Sequence, residues 1–409
     1  MHTAEHLPPP STGTPLALLE GVRVLDLTTS IAGPYCTLLL ADLGAQVVKI
    51  ERPGRGDDAR AWGPPFLDGE SLWFLSVNRN KHSVALDYTH PAGQAALHAL
   101  VAEADVVVVN QVLPSQKKLG VDGPTLRALN PRLIHVSITG FGLTGDASDR
   151  PCYDLIAEGY SGVMDLTGEA GLDPQKVGTP AADLLSGTDA SLAVTAALFH
   201  RHRTGVGQDI DVSMVESMTR FMTPRIVTYL GSGELPRRSG GRDSVIAIYQ
   251  TFETADDPLT LGLGNDAIWQ RFCKATGLAD LCADERFASN TGRREFREHI
   301  VQRIQAVLSS RPCSHWLALF TEHRIPAGPI NRLDQVVRDP TLLDRGMFFA
   351  APRGGASVPQ VGLGIKFDGS GHTYHKAPPL LGEDNRQVLQ SWLGWDDAQV
   401  DELKRQGVL

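Results

Sequence analysis

The chain is poor in the features that mark several common chemistries. Its five cysteines, Cys36, Cys152, Cys273, Cys282 and Cys313, are odd in number, scattered and never in C-x-x-C spacing. They read as buried thiols of a reducing compartment, not as a disulfide framework or a thiolate metal site. Positive charge is also short. Lys and Arg number 38 against 47 Asp and Glu, a net charge of −9, which argues against a broad surface for nucleic acid or anionic membrane. Apolar runs such as Val106–Val109 are far too short to span a bilayer. No basic stretch followed by an apolar one opens the chain. HLPPPSTGTP therefore reads as a mobile leader rather than a signal peptide, and a cytoplasmic location is expected. The first strand–turn–helix carries TTSIAGP where a dinucleotide fingerprint would place G-x-G-x-x-G, and G-x-x-x-x-G-K-[ST], H-E-x-x-H and G-x-S-x-G are missing. Nicotinamide, P-loop, zinc-hydrolase and serine-esterase chemistry lose their usual support.

What the chain does have is material for a core. Hydrophobic residues make up 42% and charged residues 21% of 409, which excludes disorder as the main state and fits two domains. The first 140 residues alternate. Strands are predicted at Val22–Leu27, Gln46–Ile50, Asp105–Val109 and Leu133–Ile138, and helices at Cys36–Leu43 (opened by Gly33-Pro34), Ala92–Glu103 and Thr125–Leu129. Continuous β-branched runs alternating with helices predict an α/β fold with a doubly wound, mostly parallel, Rossmann-like sheet. Asp183–Arg203 is a long helical stretch. Its His200-x-His202 pair reads as a cationic helix end before Gly205 rather than as metal ligands. Residues 231–244 form a Gly- and Arg-rich linker. Helices around Trp269–Ala275, Arg293–Leu308 and His315–His323 suggest a smaller α+β domain, and Ile325–Pro329 reads as a breaker that returns the chain to the first.

Several segments carry a resemblance: LEGVRVLDLTTSIAGP at 19–34, LADLGAQVVKIERPGRGD at 40–57, NRNKHSVALD at 78–87, EADVVVVN at 103–110, YDLIAEGYSGVMDLTGE at 153–169 and GTPAADLLSG at 178–187. HRTGVGQDIDVSM at 202–214, DERFASNTGRREFREHI at 284–300 and HRIPAGPI at 323–330 continue it. In this order and spacing they resemble the family III CoA-transferases of the CaiB/BaiF type, over about residues 19–350. That superfamily also holds formyl-CoA transferase, carnitine CoA-transferase and α-methylacyl-CoA racemase.

The resemblance implies a CoA-transferase that moves CoA from an acyl-CoA donor to a carboxylic acid acceptor, with CoA as substrate, no permanently bound cofactor and no metal. Asp183 in PAADLLSG matches the family's nucleophile, whose carboxylate forms a covalent intermediate. Read from local pattern alone, the same residue is a helix N-cap. Racemase-type members have His where Tyr153 stands. A phenol is a poor general base at neutral pH and a good hydrogen-bond donor, which favours transfer over racemisation. Asp154 is expected in the same polar network. The implied CoA contacts are Arg52 beside the phosphates, Lys118, Ile31, Ala32, Leu86, Asp87 and Asn110. The family's usual N-F-R-P-G run reads NQVLP at 110–114, so the adenine pocket is expected to differ. Formyl-CoA transferase has Gln where Ile31 stands and a longer run of glycines in its closing loop, so formate and oxalate specificity is not supported. Arg237, Arg238 and Arg242 are candidates for holding an acceptor carboxylate. The resemblance further implies an interlocked homodimer, with a large domain of residues 1–225 and 326–409 and a small domain of 226–325. Two other readings stay open: an α-methylacyl-CoA racemase, and a catalytically silent CoA-binding protein.

Overall fold

The computed structural model describes residues 6–354 and 356–409. Contacts divide it into two compact units. The first takes the chain up to Val163, Val177–Thr223 and Asp339–Leu409; the second takes Met164–Lys176 and Pro224–Arg338.

The first unit is built on one parallel sheet of β1 (Arg23–Asp26), β2 (Gln46–Glu51), β3 (Lys81–Ala85), β4 (Val106–Val109), β5 (Ile134–Thr139) and β6 (Asp209–Ser213), in the order β3-β2-β1-β4-β5-β6. All four valines of β4 are fully buried, as a strand covered on both faces requires. β3 and β6 escape the sequence reading for physical reasons. In β3, Lys81 and Ser83 are buried in polar networks instead of being apolar, and β6 is an edge strand that keeps Asp209 exposed.

Helices that bear on the site include α1 (Ala32–Asp42), α2 (Pro91–Glu103), α3 (Leu113–Leu119), α4 (Gly123–Leu129), α5 (Asp154–Ser161) and α6 (Ala181–Thr204). Helix α6 ends with Arg201, His202 and Arg203 in its last turn and Gly205 left-handed at φ 76°, so the His pair does belong to a helix end. On one face of the sheet Leu25, Val48, Val84 and Val107 pack with Leu97 and Leu100 of α2. Val388, Leu389, Trp392 and Leu403 of the C-terminal helices Asn385–Leu393 and Asp397–Arg405 join the same core.

Two expectations are corrected. The leader is anchored: Pro8 accepts from Ala350 N at 2.8 Å, Leu16 N donates to the His372 carbonyl at 2.9 Å, and Ser11 Oγ lies 2.7 Å from His372 Nδ1. Ala327–Pro329, read as a breaker, is strand β9 of the second unit. It pairs antiparallel with β8 (Leu259–Gly262), which pairs with β7 (Tyr249–Phe252), so the second unit continues to Arg338. That unit's core joins Phe252, Leu261, Trp269, Phe272, Ile304 and Phe320. Among the described residues no helix is long and apolar enough to cross a membrane.

Candidate active site

The sheet's order reverses between β1 and β4, and ligands of parallel α/β sheets bind beyond the carboxyl ends of strands at such a point. A cavity of about 340 Å³ lies there. Leu27, Thr28 and Thr29 after β1, Arg52 after β2, Leu86 to Thr89 after β3 and Gln111 after β4 form its wall, with Asp57, Asp58 and Leu119.

The turn on the β1 side is held from beneath by a buried ionic cluster. Lys49 Nζ lies 2.8 Å from Asp57 Oδ2 and donates to the Thr28 carbonyl at 2.7 Å. Lys81 Nζ lies 3.1 Å from Asp26 Oδ2 and donates to the Pro34 carbonyl at 2.8 Å. Asp26 accepts from Thr28 and Thr37, and Asp57 Oδ1 accepts from Ser30 N at 2.9 Å. Ser30 sits at φ 71°, a conformation that costs a non-glycine residue energy and persists only when its surroundings dictate it. Burial alone would push Asp26 up, but Lys49 and Lys81 outweigh it and hold the carboxyl far below its usual range. Burial pulls Lys81 down to about 8, against the attraction of Asp26.

Asp183 sits in the first turn of α6. The N-cap position is Pro180, which has no side-chain cap. The capping oxygen comes from elsewhere in the chain: Asp154 Oδ1 accepts from Ala182 N at 2.8 Å and from Asp183 N at 3.3 Å. Asp183 is thus not the cap that local pattern suggested, and its carboxylate is free for other work. Asp183 is half-buried, and burial first, then the Asp154 charge, raise it from 3.8 to about 7. A basic carboxylate in a partly desolvated site is a better nucleophile once ionised. One turn on, a Cβ at Gly187 would lie 2.6 Å from the Ala32 carbonyl oxygen. Glycine therefore lets α6 press against the start of α1, and Leu184 packs against the cluster of Ile31, Leu38 and Val77. The start of α6 therefore packs near Ile31 and Ala32, shortly after the Thr28 and Thr29 that line the cavity, although Asp183 itself is not among the lining residues.

The other residues singled out from sequence divide clearly. Arg52, Leu86 and Asp87 line the cavity. Arg52 is half-exposed, and its Nη2 lies 2.5 Å from Asp58 Oδ1. Ile31 and Ala32 are buried at the start of α1. Asn110 clamps the cavity turn, Oδ1 accepting from Thr29 N at 3.2 Å and Nδ2 donating to the Thr29 carbonyl at 2.8 Å. Lys118 is exposed on α3, next to the cavity residue Leu119. Tyr153 precedes α5 and is 68% exposed. In the second unit Arg238 Nη1 lies 3.1 Å from Asp165 Oδ1, Arg242 donates to the Ser239 carbonyl, and Arg237 is exposed.

Residues that the sequence reading missed include Asp57, Lys49 and Gln111. It also missed Cys152, which is half-buried rather than fully buried and whose thiol burial and the Asp183 charge push up to about 11. The run QVVKIE with GDD shortly after it was the available signal for Lys49 and Asp57, since a lysine inside a buried strand needs a carboxylate partner.

Comparison with known proteins follows the same lines. A family model described as CoA-transferase family III matches residues 19–385. The succinyl-CoA:glutarate CoA-transferase of Mus musculus is 38% identical over 394 residues, covering 96% of this chain and 90% of the relative. The succinate–glutarate CoA-transferase of Agrobacterium fabrum is 38% identical over 378 residues, covering 91% and 94%. The crystal structure of a CaiB/BaiF family protein from Brucella suis matches with a TM-score of 0.80 at 36% identity, over 91% of this chain and 99% of that one.

Proposed function

The chain belongs to CoA-transferase family III, and from that premise we propose that it carries CoA from a succinyl-CoA-type donor to a dicarboxylic acid through a covalent intermediate on Asp183. The observation that carries this reading is the Asp183 carboxylate itself. It is half-buried, raised to about 7, freed from capping by Asp154, and set on a helix pressed against the turn that walls the cavity.

The Asp183 carboxylate attacks the thioester carbonyl of the donor, the C–S bond breaks, and CoA thiolate leaves behind a mixed anhydride. The thiolate then attacks the aspartyl carbonyl, releasing the donor's acid as a carboxylate and forming an aspartyl–CoA thioester. The acceptor carboxylate attacks that thioester and expels the thiolate again. Attack of the thiolate on the acceptor's carbonyl forms the new acyl-CoA and returns the Asp183 carboxylate. No proton, water or electron is consumed, so the residues needed are a nucleophile and groups that hold negative charge. The positive end of the α6 dipole lies at the turn that carries the reacting carboxylate. Arg52 faces the CoA phosphates in this reading, and Thr29 lies on the same cavity wall. Tyr153 donates a hydrogen bond to the reacting acyl group from the surface beside Asp154.

The dicarboxylic acceptor rests on the relatives: the mouse and Agrobacterium proteins are named for succinyl-CoA or succinate and glutarate. The reading includes a homodimer. Leu192 and Phe199 of α6 and Phe221 beyond β6 are more than half exposed, and a second copy covering them would remove a large apolar surface from water. The test is to incubate the enzyme with succinyl-CoA and a panel of mono- and dicarboxylic acids and identify new acyl-CoA by mass spectrometry. Transfer to four- and five-carbon dicarboxylates, lost in Asp183→Ala, supports the reading. Equal transfer by the Ala variant removes it.

A further inference from the structure

Ser30 is where the turn after β1 passes into α1, and its left-handed conformation, φ 71°, has to be imposed on it. Its own side chain does not impose it, because the hydroxyl has no hydrogen-bond partner among the described residues. Thr28 is held by Asp26 and Lys49, and Thr29 by Asn110. Ser30 is held by Asp57, on the loop after β2. Asp57 is buried and serves three groups at once. Oδ1 accepts from Ser30 N and from Ala59 N, each at 2.9 Å. Oδ2 lies 2.8 Å from Lys49 Nζ, an ion pair rather than an aligned hydrogen bond. The Asp57 N–H donates to Glu51 Oε2 at 3.0 Å, and that oxygen also takes Arg60 Nε at 2.8 Å. The carboxylate is thus fixed from both sides and cannot follow a moving turn. What it fixes touches both halves of the site. Before Ser30, Thr28 and Thr29 line the cavity. After it, the Ala32 carbonyl meets α6 at Gly187, one turn beyond Asp183, and Leu184 packs against the cluster that holds Ile31. Ser30 is therefore the joint between the cavity wall and the helix on which α6 rests.

Resting on the transfer reading above, we propose that Asp57 is a positioning residue for the reaction: by holding Ser30 left-handed it fixes the angle between the cavity wall and α1, and so the place of Asp183 relative to the bound thioester. The role needs a carboxylate. An amide has one acceptor oxygen for two claimants, the Lys49 ammonium and the Ser30 N–H. The full charge takes that oxygen, and the amide nitrogen then meets the Ser30 N–H donor to donor.

The test is rescue by glycine, which takes a left-handed conformation at no steric cost. Steady-state transfer from succinyl-CoA to a five-carbon dicarboxylate is measured for the wild-type protein, Asp57→Asn, Ser30→Gly and the double variant. Asp57→Asn should lower kcat about tenfold, within the roughly 100-fold that a misplacement of about 1 Å can cost, and should raise the donor KM as the wall shifts. The double variant should recover most of the kcat of Ser30→Gly. A purely structural role for Asp57, as the counter-ion of Lys49, predicts the same loss with or without the glycine. Ser30→Val leaves the Asp57–Lys49 pair in place, but its branched side chain resists φ 71°, so it should reproduce the loss; this arm does not depend on Asp57→Asn folding. Wild-type kinetics in Asp57→Asn or in Ser30→Val, or a loss that glycine does not relieve, overturns the inference while leaving the transfer reading intact. No transfer by the wild-type protein would overturn that reading and this role with it.

Discussion

Replacing Asp183 with Asn should abolish transfer and also stabilise the fold at neutral and alkaline pH. The carboxyl is raised from 3.8 to about 7, by burial and then by Asp154. Between those two values the folded chain holds a proton that the unfolded chain has released. The stability associated with Asp183 is therefore fully present below about pH 4 and is lost as pH rises through 7. At about 1.36 kcal/mol per pKa unit the whole gap would be worth about 4 kcal/mol. The side chain is only half-buried, and solvent screening reduces the expected penalty to about 1–2 kcal/mol. Asparagine keeps the shape, carries no charge and removes the penalty. Urea unfolding of both proteins from pH 4 to 8 checks this. The stability of the variant relative to wild type should grow with pH up to about 7 and then level off. A difference that does not change with pH would refute the reasoning, because the carboxyl would then not be perturbed in the folded state.

Asp154→Asn should move the acid limb of the pH–kcat profile toward lower pH, since it removes the charge that helps raise Asp183 while leaving an oxygen to accept from Ala182 N; an unmoved profile would separate Asp154 from the reacting carboxylate. Arg52→Ala should raise the KM for several acyl-CoA donors alike by about tenfold, the worth of a charge-assisted hydrogen bond, and Asp58→Asn should lower it by freeing the guanidinium; steady-state kinetics with two donors decide both. Lys49→Met should destabilise the first unit by about 3–5 kcal/mol by leaving Asp57 buried without a cation, read as a shifted urea midpoint.

Much of the parallel sheet was legible because strands buried on both faces announce themselves, as the valines of β4 do. Strand β3 was not, since Lys81 and Ser83 look like surface residues until Asp26, Asn78 and Glu51 are seen to meet them. Asp183 was singled out through its motif, but the capping of its helix could not be read there. The oxygen that satisfies the first turn of α6 belongs to Asp154, far upstream, and local spacing cannot report such a partner. Asn110 was expected to touch the ligand, and its side chain also fixes the cavity turn at Thr29. Gln111, its neighbour, stood out only as a departure from a familiar run. Its unmet oxygen becomes visible once Leu27 is seen to occupy the other end of the amide.

The most direct test of the central claim is to trap the covalent intermediate. The protein is incubated with succinyl-CoA in the presence of hydroxylamine, which converts an activated aspartyl group to its hydroxamate, and the digested chain is sequenced by mass spectrometry. The account predicts a hydroxamate on Asp183, dependent on the donor. Modification at another carboxylate, or turnover with no modification at any, would contradict it.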